Sequence, residues 1–403
     1  MKILNVTAQR PDSTGSGVYL SELVAGFARR GCTQAVLAGI GIGDRPCFPD
    51  GVSFYPVRYE TPELPYPILG MSDTMPYRST RYRDMTPEMT AQFREAFGSQ
   101  ILHAAEEFCP DVILCHHLYY LTSLVRELCP DLPVFGICHG TCLRQLRKNP
   151  WGREYVLERI PGLDGIFALH EAQKEEISKL FGVEKERIRV IGSGYNAAVF
   201  HPSPETPEAE ESGRKRILFA GKIAEKKGVL SLLKAMEHLQ ETNGWVLELA
   251  GGYGDEAEYR RIREAAEHCP CEVRFLGKLP QQELAAVMRR DEVFVLPSFS
   301  EGLPLVIIEA MACGMRTVCT DLPGIRPWLE SRLPGNRVCF VAPPVLRNQD
   351  EPEESSLPAF EAALADAVET ACRLPAEDPA RLEALSWDGL CGRLLPLLEG
   401  FPS

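Results

Sequence analysis

The sequence contains no long run of apolar residues. Its apolar stretches, such as 217–220 and 293–296, are four residues long, whereas a helix that crosses a membrane needs roughly 20. The N-terminal segment M-K-I-L-N-V-T is interrupted at Asn5, which makes it too short for the apolar core of a signal peptide. We therefore expect a mature cytoplasmic protein without a membrane span.

Positive charge is also scarce, since 43 Lys and Arg face 56 Asp and Glu and leave a net charge of −13. Binding nucleic acid requires a surplus of cations that neutralise phosphates, so nucleic acid is not an expected partner. The 14 cysteines are sparse and mostly lie in apolar runs, which is typical of buried free thiols in a reducing compartment. Cys269 and Cys271 lack a second pair or a histidine at zinc-site spacing, so no metal site is expected there.

Short apolar segments alternate with helical patterns through both halves of the 403 residues, a length typical of two or three domains. In the first half these segments predict strands at 1–7, 35–38, 111–115, 133–138, 165–169 and 188–192. After a Pro- and Glu-rich linker at 201–213, they predict strands at 216–221, 245–252, 273–277, 293–297, 317–320 and 338–341. This order predicts an α/β protein with two parallel sheets flanked by helices.

Residues 59–100 interrupt the alternation. They hold five prolines, with Tyr and Arg interleaved, which is typical of an insertion or a long loop. Residues 144–151 carry a similar mixture of Arg and Trp. One hypothesis is that both segments contact a lipid-linked or anionic acceptor, and the favoured alternative is a surface insertion.

A glycine-rich segment, P-D-S-T-G-S-G-V-Y-L, lies at 11–20 between the first strand and the first helix. Gly15 and Gly17 would let the backbone approach an anion at a helix N-terminus, although a tight turn explains them equally well. A dinucleotide-binding fingerprint would have a third glycine where Leu20 stands. A nicotinamide-dependent oxidoreductase is therefore the least favoured function.

The segment A-G-K-I-A-E-K-K-G at 220–228 also lies between a strand and a helix. It does not match the Walker A pattern, because no Ser or Thr follows a Gly-Lys pair. Lys222 and Lys227 at the end of a strand would bind phosphates electrostatically. A solvated charged turn is the alternative.

The segment 297–314 holds Glu301 and Glu309 eight residues apart, the second inside an apolar helix. Glu is rarely buried without a partner, so a functional role competes with a salt-bridged helical Glu. Pro304 suits the first turn of this helix, and the backbone amides expected to point at an anion there are those of Leu303, Leu305 and Val306. Two carboxylates around such amides suit a nucleotide diphosphate.

Three histidines follow strands of the first half. His139 ends the strand at 133–138, and such a position often faces the ligand crevice of an α/β sheet. His116 and His117 end the preceding strand. For His139 a structural and a functional role are equally open, whereas a structural role is favoured for the other two.

Together these motifs resemble the retaining, nucleotide-sugar-dependent glycosyltransferases of family 4. The strongest is the E-x7-E pattern from Glu301 to Glu309, preceded by P-S and followed by A-M-A-C-G. Further segments resemble the family at 220–228, 249–255, 274–279, 320–325 and 194–202. The match covers most of the chain and is specific because the motifs occur in the family's order.

The resemblance implies a GT-B fold, in which two Rossmann-like domains face each other across a cleft and the C-terminal helix crosses back to the first domain. The first, acceptor-side domain would comprise 1–198, with the insertion at 59–100 and the returning helix at about 386–403. The second, nucleotide-sugar-binding domain would comprise 199–385.

The resemblance also implies roles for individual residues. Those implied to act on the transferred sugar and the diphosphate are His139, Lys222, Lys227 and Glu301. Those implied to bind the phosphates, the ribose or the base are Gly15, Gly17, Leu279, Gly302, Leu303, Leu305, Val306 and Glu309. Within this second set, Glu309 would hold the ribose and the backbone near Leu279 would meet the base.

The leading function is therefore transfer of a sugar from a nucleotide-diphosphate sugar, expected to be a UDP-sugar, to a hydroxyl acceptor. Neither a metal nor a separate cofactor is expected. The partners are the donor and a carbohydrate or lipid-linked acceptor, which leaves peripheral membrane association open. The alternatives are a non-catalytic GT-B partner subunit and a GT-B-fold epimerase or phosphorylase.

Overall fold

The computed structural model describes residues 1–72, 75–202, 214–240, 244–301, 303–347 and 351–400. The chain divides into two compact units, one of Met1–Ser193 with Leu390–Ser403 and one of Gly194–Gly389. Each unit contains a parallel sheet flanked by helices, which confirms the predicted α/β class. Among the described helices, none combines the length and the apolar character that a membrane crossing requires.

The first unit is built on a seven-stranded parallel sheet with the order β3-β2-β1-β6-β7-β8-β9. Its strands are β1 (Lys2–Thr7), β2 (Thr33–Ile40), β3 (Ser53–Arg58), β6 (Val112–His116), β7 (Val134–Ile137), β8 (Gly165–Ala168) and β9 (Ile188–Val190), with the separate short pair β4 (Leu69–Gly70) and β5 (Thr80–Arg81). Its helices are α1 (Gly15–Arg29), α2 (Pro87–Phe108), α3 (Tyr120–Leu128), α4 (Thr141–Lys148), α5 (Arg153–Arg159) and α6 (Glu171–Phe181).

The second unit has a six-stranded parallel sheet with the order β12-β11-β10-β13-β14-β15. Its strands are β10 (Lys215–Ala220), β11 (Trp245–Ala250), β12 (Glu272–Gly277), β13 (Val293–Leu296), β14 (Arg316–Thr320) and β15 (Cys339–Val341). Its helices are α7 (Val229–Ala235), α8 (Glu256–Glu267), α9 (Gln281–Arg290), α10 (Leu305–Ala312), α11 (Ile325–Arg332) and α12 (Leu357–Arg373). Helix α13 (Trp387–Glu399) spans the division at Gly389, and its later part lies in the first unit, where the Cys391 thiol contacts the Leu23 carbonyl oxygen at 3.8 Å.

Helices cover both faces of each sheet, so the central strands are buried throughout. Every residue of β6, β11 and β13 is buried. In each sheet the chain first adds strands on one side of the first strand and then continues on its other side. The strand order therefore reverses between β1 and β6 in the first sheet and between β10 and β13 in the second. Such a reversal leaves a crevice at the carboxyl ends of the strands, where α/β proteins bind their ligands.

The segment 59–100 is not a surface insertion. Large side chains from its first part, among them Tyr59, Tyr66, Leu69 and Tyr82, are buried in the core of the first unit. Its second part is α2, which begins at Pro87 after the N-cap Thr86. The burial was missed because these residues follow neither a helical nor a strand period.

Candidate active site

Three loops of the second unit, which follow β10, β11 and β12, are held together by backbone hydrogen bonds. The Gly221 amide donates to the Ala250 carbonyl at 2.9 Å, and the Gly251 amide donates to the Gly277 carbonyl at 2.7 Å. Gly251 adopts φ +150°, and a Cβ there would lie 1.7 Å from the Gly221 oxygen. Only glycine at position 251 allows the two backbones to lie this close. The ends of the three strands therefore form one continuous surface.

A cavity of about 650 Å³ opens over these three loops. This volume is in the range of small-molecule sites. Its lining is Ala220, Gly221, Lys222, Ala250, Gly251, Gly252, Tyr253, Gly254, Lys278, Leu279, Leu284 and Val306. Of the residues expected from the sequence, the cavity therefore brings together Lys222, Leu279 and Val306, and it does not include Lys227, Glu301 or Glu309.

Two lysines reach across the glycine loop that follows β11. A Cβ on Gly254 would lie 2.3 Å from the Lys222 Nζ, and a Cβ on Gly252 would lie 2.3 Å from the Lys278 Cε. Within the described ranges neither lysine has an ion-pair partner. Two uncompensated ammonium groups in one cavity attract an anion.

Lys278 was missed by the sequence analysis. The signal was present, because Lys278 lies in the R-F-L-G-K-L segment directly before Leu279. The structure adds what the motif did not contain, namely that its side chain lies over Gly252 and lines the same cavity as Lys222.

Lys227 and Glu301 form an ion pair instead. The Lys227 Nζ lies 2.7 Å from the Glu301 Oε1, and both side chains are mostly buried. The same oxygen accepts the Ser298 hydroxyl at 2.7 Å. The structure thus brings together two of the residues assigned to the sugar and the diphosphate, with their charges already balanced.

Helix α10 follows β13 and begins at Leu305. Pro304 is its N-cap rather than its first helical residue and provides no side-chain acceptor. The N-cap residue therefore leaves the amides of the first turn, with Leu305 and Val306, without a side-chain cap. That these amides point at an anion stays a prediction. Leu303 packs against the core of the unit, and Gly302 lies outside the described residues.

Glu309 lies on α10, and its side chain is half-buried. No ion pair or hydrogen bond to its carboxyl occurs within the described part of the chain, and burial raises the pKa of Glu309 to about 7. It lies three residues after Val306, so the two side chains are neighbours on the helix surface. The salt-bridged alternative for Glu309 finds no support among these contacts.

In the first unit, Gly17 is required by the packing of its own loop. A Cβ on Gly17 would lie 2.7 Å from the Arg10 oxygen, whereas one on Gly15 would meet nothing within 4 Å. The Thr14 hydroxyl accepts the Gly17 amide at 3.2 Å and caps α1. Contact of Gly15 and Gly17 with a phosphate stays a prediction.

The three histidines of the first unit cluster at the ends of β6 and β7. The His116 Nδ1 lies 3.1 Å from the His139 Nε2, and the His117 ring centroid lies 4.9 Å from that of His139. Burial, reinforced by His117, lowers the pKa of His116 to about 3. Burial also holds the pKa of His139 well below its ordinary value, so both rings are neutral at pH 7.

The sequence favoured a structural role for His116 and His117 and did not predict that both contact His139. The signal was available, since β6 and β7 are sequential and adjacent, and parallel strands end at the same edge of the sheet. His117 holds φ +75°, a left-handed conformation that costs about 1–2 kcal/mol for a non-glycine residue. No group of three or more His, Cys, Asp or Glu able to hold a metal ion was found among the residues described.

Comparisons with known proteins cover both units. Residues 204–341 match the family described as glycosyl transferases group 1, and residues 13–199 match glycosyltransferase family 4. The chain is 31% identical over 338 residues to the D-inositol 3-phosphate glycosyltransferase of Xylanimonas cellulosilytica, covering 78% of this chain and 77% of that protein.

Solved structures show a similar fold. Sucrose-phosphate synthase from Thermosynechococcus elongatus has a TM-score of 0.65 at 18% identity, covering 99% of this chain and 98% of the other. Anabaena HepE in complex with UDP has a TM-score of 0.63 at 14% identity, covering 99% and 100%. The likeness therefore extends over the whole of each chain and concerns the fold.

The raised pKa of Glu309 predicts a pH-dependent cost to stability. The folded state favours the protonated carboxyl. Protonated Glu309 therefore adds its full stabilisation below the pKa of the same carboxyl in the unfolded chain, and this stabilisation is lost as the pH rises through about 7. Between pH 5 and pH 8 we expect the wild type to lose on the order of 2–3 kcal/mol of unfolding free energy that Glu309→Gln keeps. Urea unfolding at both pH values measures this loss.

The exposed Glu283 on α9 provides the matched control. Glu283→Gln should follow the wild-type dependence on pH. If the unfolding free energies of the wild type and Glu309→Gln change equally between pH 5 and pH 8, the Glu309 carboxyl is not desolvated in the folded protein.

Proposed function

The chain belongs to the group 1 glycosyl transferases, and on that premise we propose a retaining enzyme that moves a sugar from a UDP-sugar to a hydroxyl acceptor. Its fold is GT-B, with two Rossmann-like units, as the sequence predicted. The chain is a glycosyltransferase that uses a nucleotide-sugar donor. The retaining route, UDP as the nucleotide, and a carbohydrate or lipid-linked acceptor are parts of the proposal.

The main support for a donor site in the second unit is the cavity that Lys222 and Lys278 line. Both ammonium groups lack a carboxylate partner in the described ranges, and both exposed side chains line the same cavity. A diphosphate provides the opposite charge, and backbone amides of a glycine loop add hydrogen bonds to its oxygens. The solved complex of HepE with UDP, a protein of similar fold, supports a uridine nucleotide at such a site.

We assign the remaining donor contacts around this cavity. The backbone at Leu279, on the cavity wall, would meet the base. Glu309 would accept ribose hydroxyls, which would supply the partners that its carboxyl lacks. The uncapped amides at the start of α10, with Lys227 and Glu301 close by, would bind the phosphates and the sugar.

We propose front-face attack for the transfer itself. The bond between the sugar's anomeric carbon and the diphosphate oxygen breaks, and its electron pair goes to the diphosphate. The acceptor oxygen forms the new bond on the same face, and its proton passes to an oxygen of the departing diphosphate. The residues named above align the reactants and stabilise the growing negative charge. A β-configured product from an α-configured donor would contradict this route.

The first prediction of the proposal concerns nucleotide selectivity. UDP should raise the thermal unfolding temperature more than GDP, ADP or CDP, because a ligand that binds only the folded state stabilises it. At a concentration of about 100 times its Kd, this stabilisation is about 2.7 kcal/mol. Uridine, which has no phosphates to pair with the lysines, should have little effect. If no nucleoside diphosphate shifts the transition, the donor site is assigned wrongly.

The second prediction concerns the lysines and the departing diphosphate. Lys222→Ala and Lys227→Ala should each cost on the order of 2–4 kcal/mol of barrier, about 30- to 1000-fold in kcat, because charge grows on the diphosphate in the transition state. Lys222→Arg should keep substantial activity, since a guanidinium also binds phosphate oxygens. Release of UDP from the UDP-sugar, at saturating donor, gives the rate.

Lys226 is the control for these variants. It is exposed beside Lys227 and outside the cavity, so Lys226→Ala should turn over donor like the wild type. Unchanged turnover in all three alanine variants would identify the 220–228 segment as a solvated turn.

A further inference from the structure

The contact between His116 and His139 bears on which ring nitrogen of His139 is protonated. The two nitrogens lie 3.1 Å apart, and the ring planes are within 9° of each other. Both rings are neutral at pH 7, so each carries one N–H. One ring must therefore donate to the other, and the direction of this hydrogen bond decides which nitrogen of His139 holds its proton.

The surroundings of His116 favour one direction. His116 is 3% exposed, and its Nε2 is buried with no hydrogen-bond partner in the described part of the chain. If His116 carried its proton on Nε2, an N–H would be buried without an acceptor, which is rarer in folded proteins than an unsatisfied acceptor. The favoured tautomer therefore has the proton on the His116 Nδ1, which donates to the His139 Nε2.

This direction determines the chemistry that His139 offers to a ligand. Since its Nε2 accepts a hydrogen bond, its own proton must be on Nδ1. The His139 Nδ1 makes no hydrogen bond to the described residues, and the side chain is half-buried rather than enclosed. His139 then presents an N–H donor to an oxygen of a bound substrate.

The neighbouring side chains keep the His139 ring from turning. Tyr19 packs edge-on against it with ring centroids 5.1 Å apart, and the Tyr19 hydroxyl donates to the Gly192 carbonyl at 2.9 Å. His117 packs against another side of the ring, and its own Nε2 lies 3.0 Å from the Ser16 hydroxyl. Both neighbours are buried and fixed by hydrogen bonds of their own.

We propose that His116 is a positioning residue that holds His139 in the Nδ1–H tautomer, so that His139 donates a hydrogen bond to a hydroxyl oxygen of the transferred sugar. The sugar's identity as substrate rests on the function proposed above. The tautomer itself is a property of the ligand-free protein and does not depend on that function. The proposal assigns His116 no contact with the substrate.

The test is a nitrogen spectrum of the full-length protein with ¹⁵N-labelled histidines. Signals are assigned with His139→Gln and His116→Phe, and the exposed His103 serves as an internal reference. In the wild type, His139 should show a protonated Nδ1 and an unprotonated Nε2. A protonated His139 Nε2 in the wild type would overturn the proposal without any variant.

Two substitutions separate the hydrogen bond from ring packing. His116→Phe keeps a ring but has no N–H, so His139 should lose its fixed tautomer and shift toward Nε2–H. His116→Asn places an amide N–H near the position of the lost Nδ1 and should restore the wild-type signals. If His116→Phe leaves the His139 tautomer unchanged, His116 is only a packing residue. If neither variant folds, the wild-type spectrum still decides.

Turnover of the UDP-sugar provides the functional readout. Loss of one hydrogen bond is worth about 1 kcal/mol, so His116→Phe should lower kcat/KM by about 5- to 10-fold, with recovery in His116→Asn. If His139 shows the Nδ1–H tautomer but the protein does not bind UDP, the proposed donor is wrong and the tautomer assignment still holds. A fixed tautomer with full turnover in His116→Phe would reject the role of His116.

Discussion

The proposed donor site depends on one backbone approach, that of Gly251 to Gly221. The loops after β10 and β11 lie so close that a single Cβ on Gly251 would reach 1.7 Å from the Gly221 oxygen. The third loop is tied to them by the bond from Gly251 to Gly277. With these three strand ends fixed, Lys222 and Lys278 lie over glycines and line one cavity.

The charges around this site are arranged for a ligand rather than for stability. Lys222 and Lys278 have no carboxylate partner in the described ranges. The half-buried Glu309 carboxyl has no cationic partner among the described residues. Partial burial of the Glu309 carboxyl costs the folded state free energy, whereas the two lysine ammonium groups are exposed and can attract an anion. A nucleotide diphosphate and its ribose would supply both partners, which accounts for a sequence that keeps them. In the histidine cluster of the first unit, the proposed tautomer likewise leaves the Nδ1–H of His139 for a ligand.

The parts that were predictable from the sequence are those with a local signature. The alternation of apolar segments predicted both parallel sheets, and the motifs around Lys222 and Glu309 predicted a cation-bearing loop and a buried carboxylate. Lys278 was missed, and the contact of His116 with His139 was not predicted, because both depend on contacts between residues that follow separate strands. The burial of Tyr59, Tyr66 and Tyr82 was missed for a related reason, because these side chains are buried through tertiary packing without any period in the sequence.

We infer that the donor binds at the carboxyl ends of the second sheet. Amide hydrogen exchange of the full-length protein, with and without saturating UDP, tests it most directly, because bound backbone amides exchange more slowly. Bound UDP should add protection in the glycine loop at 251–254, at Leu279 and in the first turn of α10. Protection by bound UDP that falls only outside these three segments would contradict it.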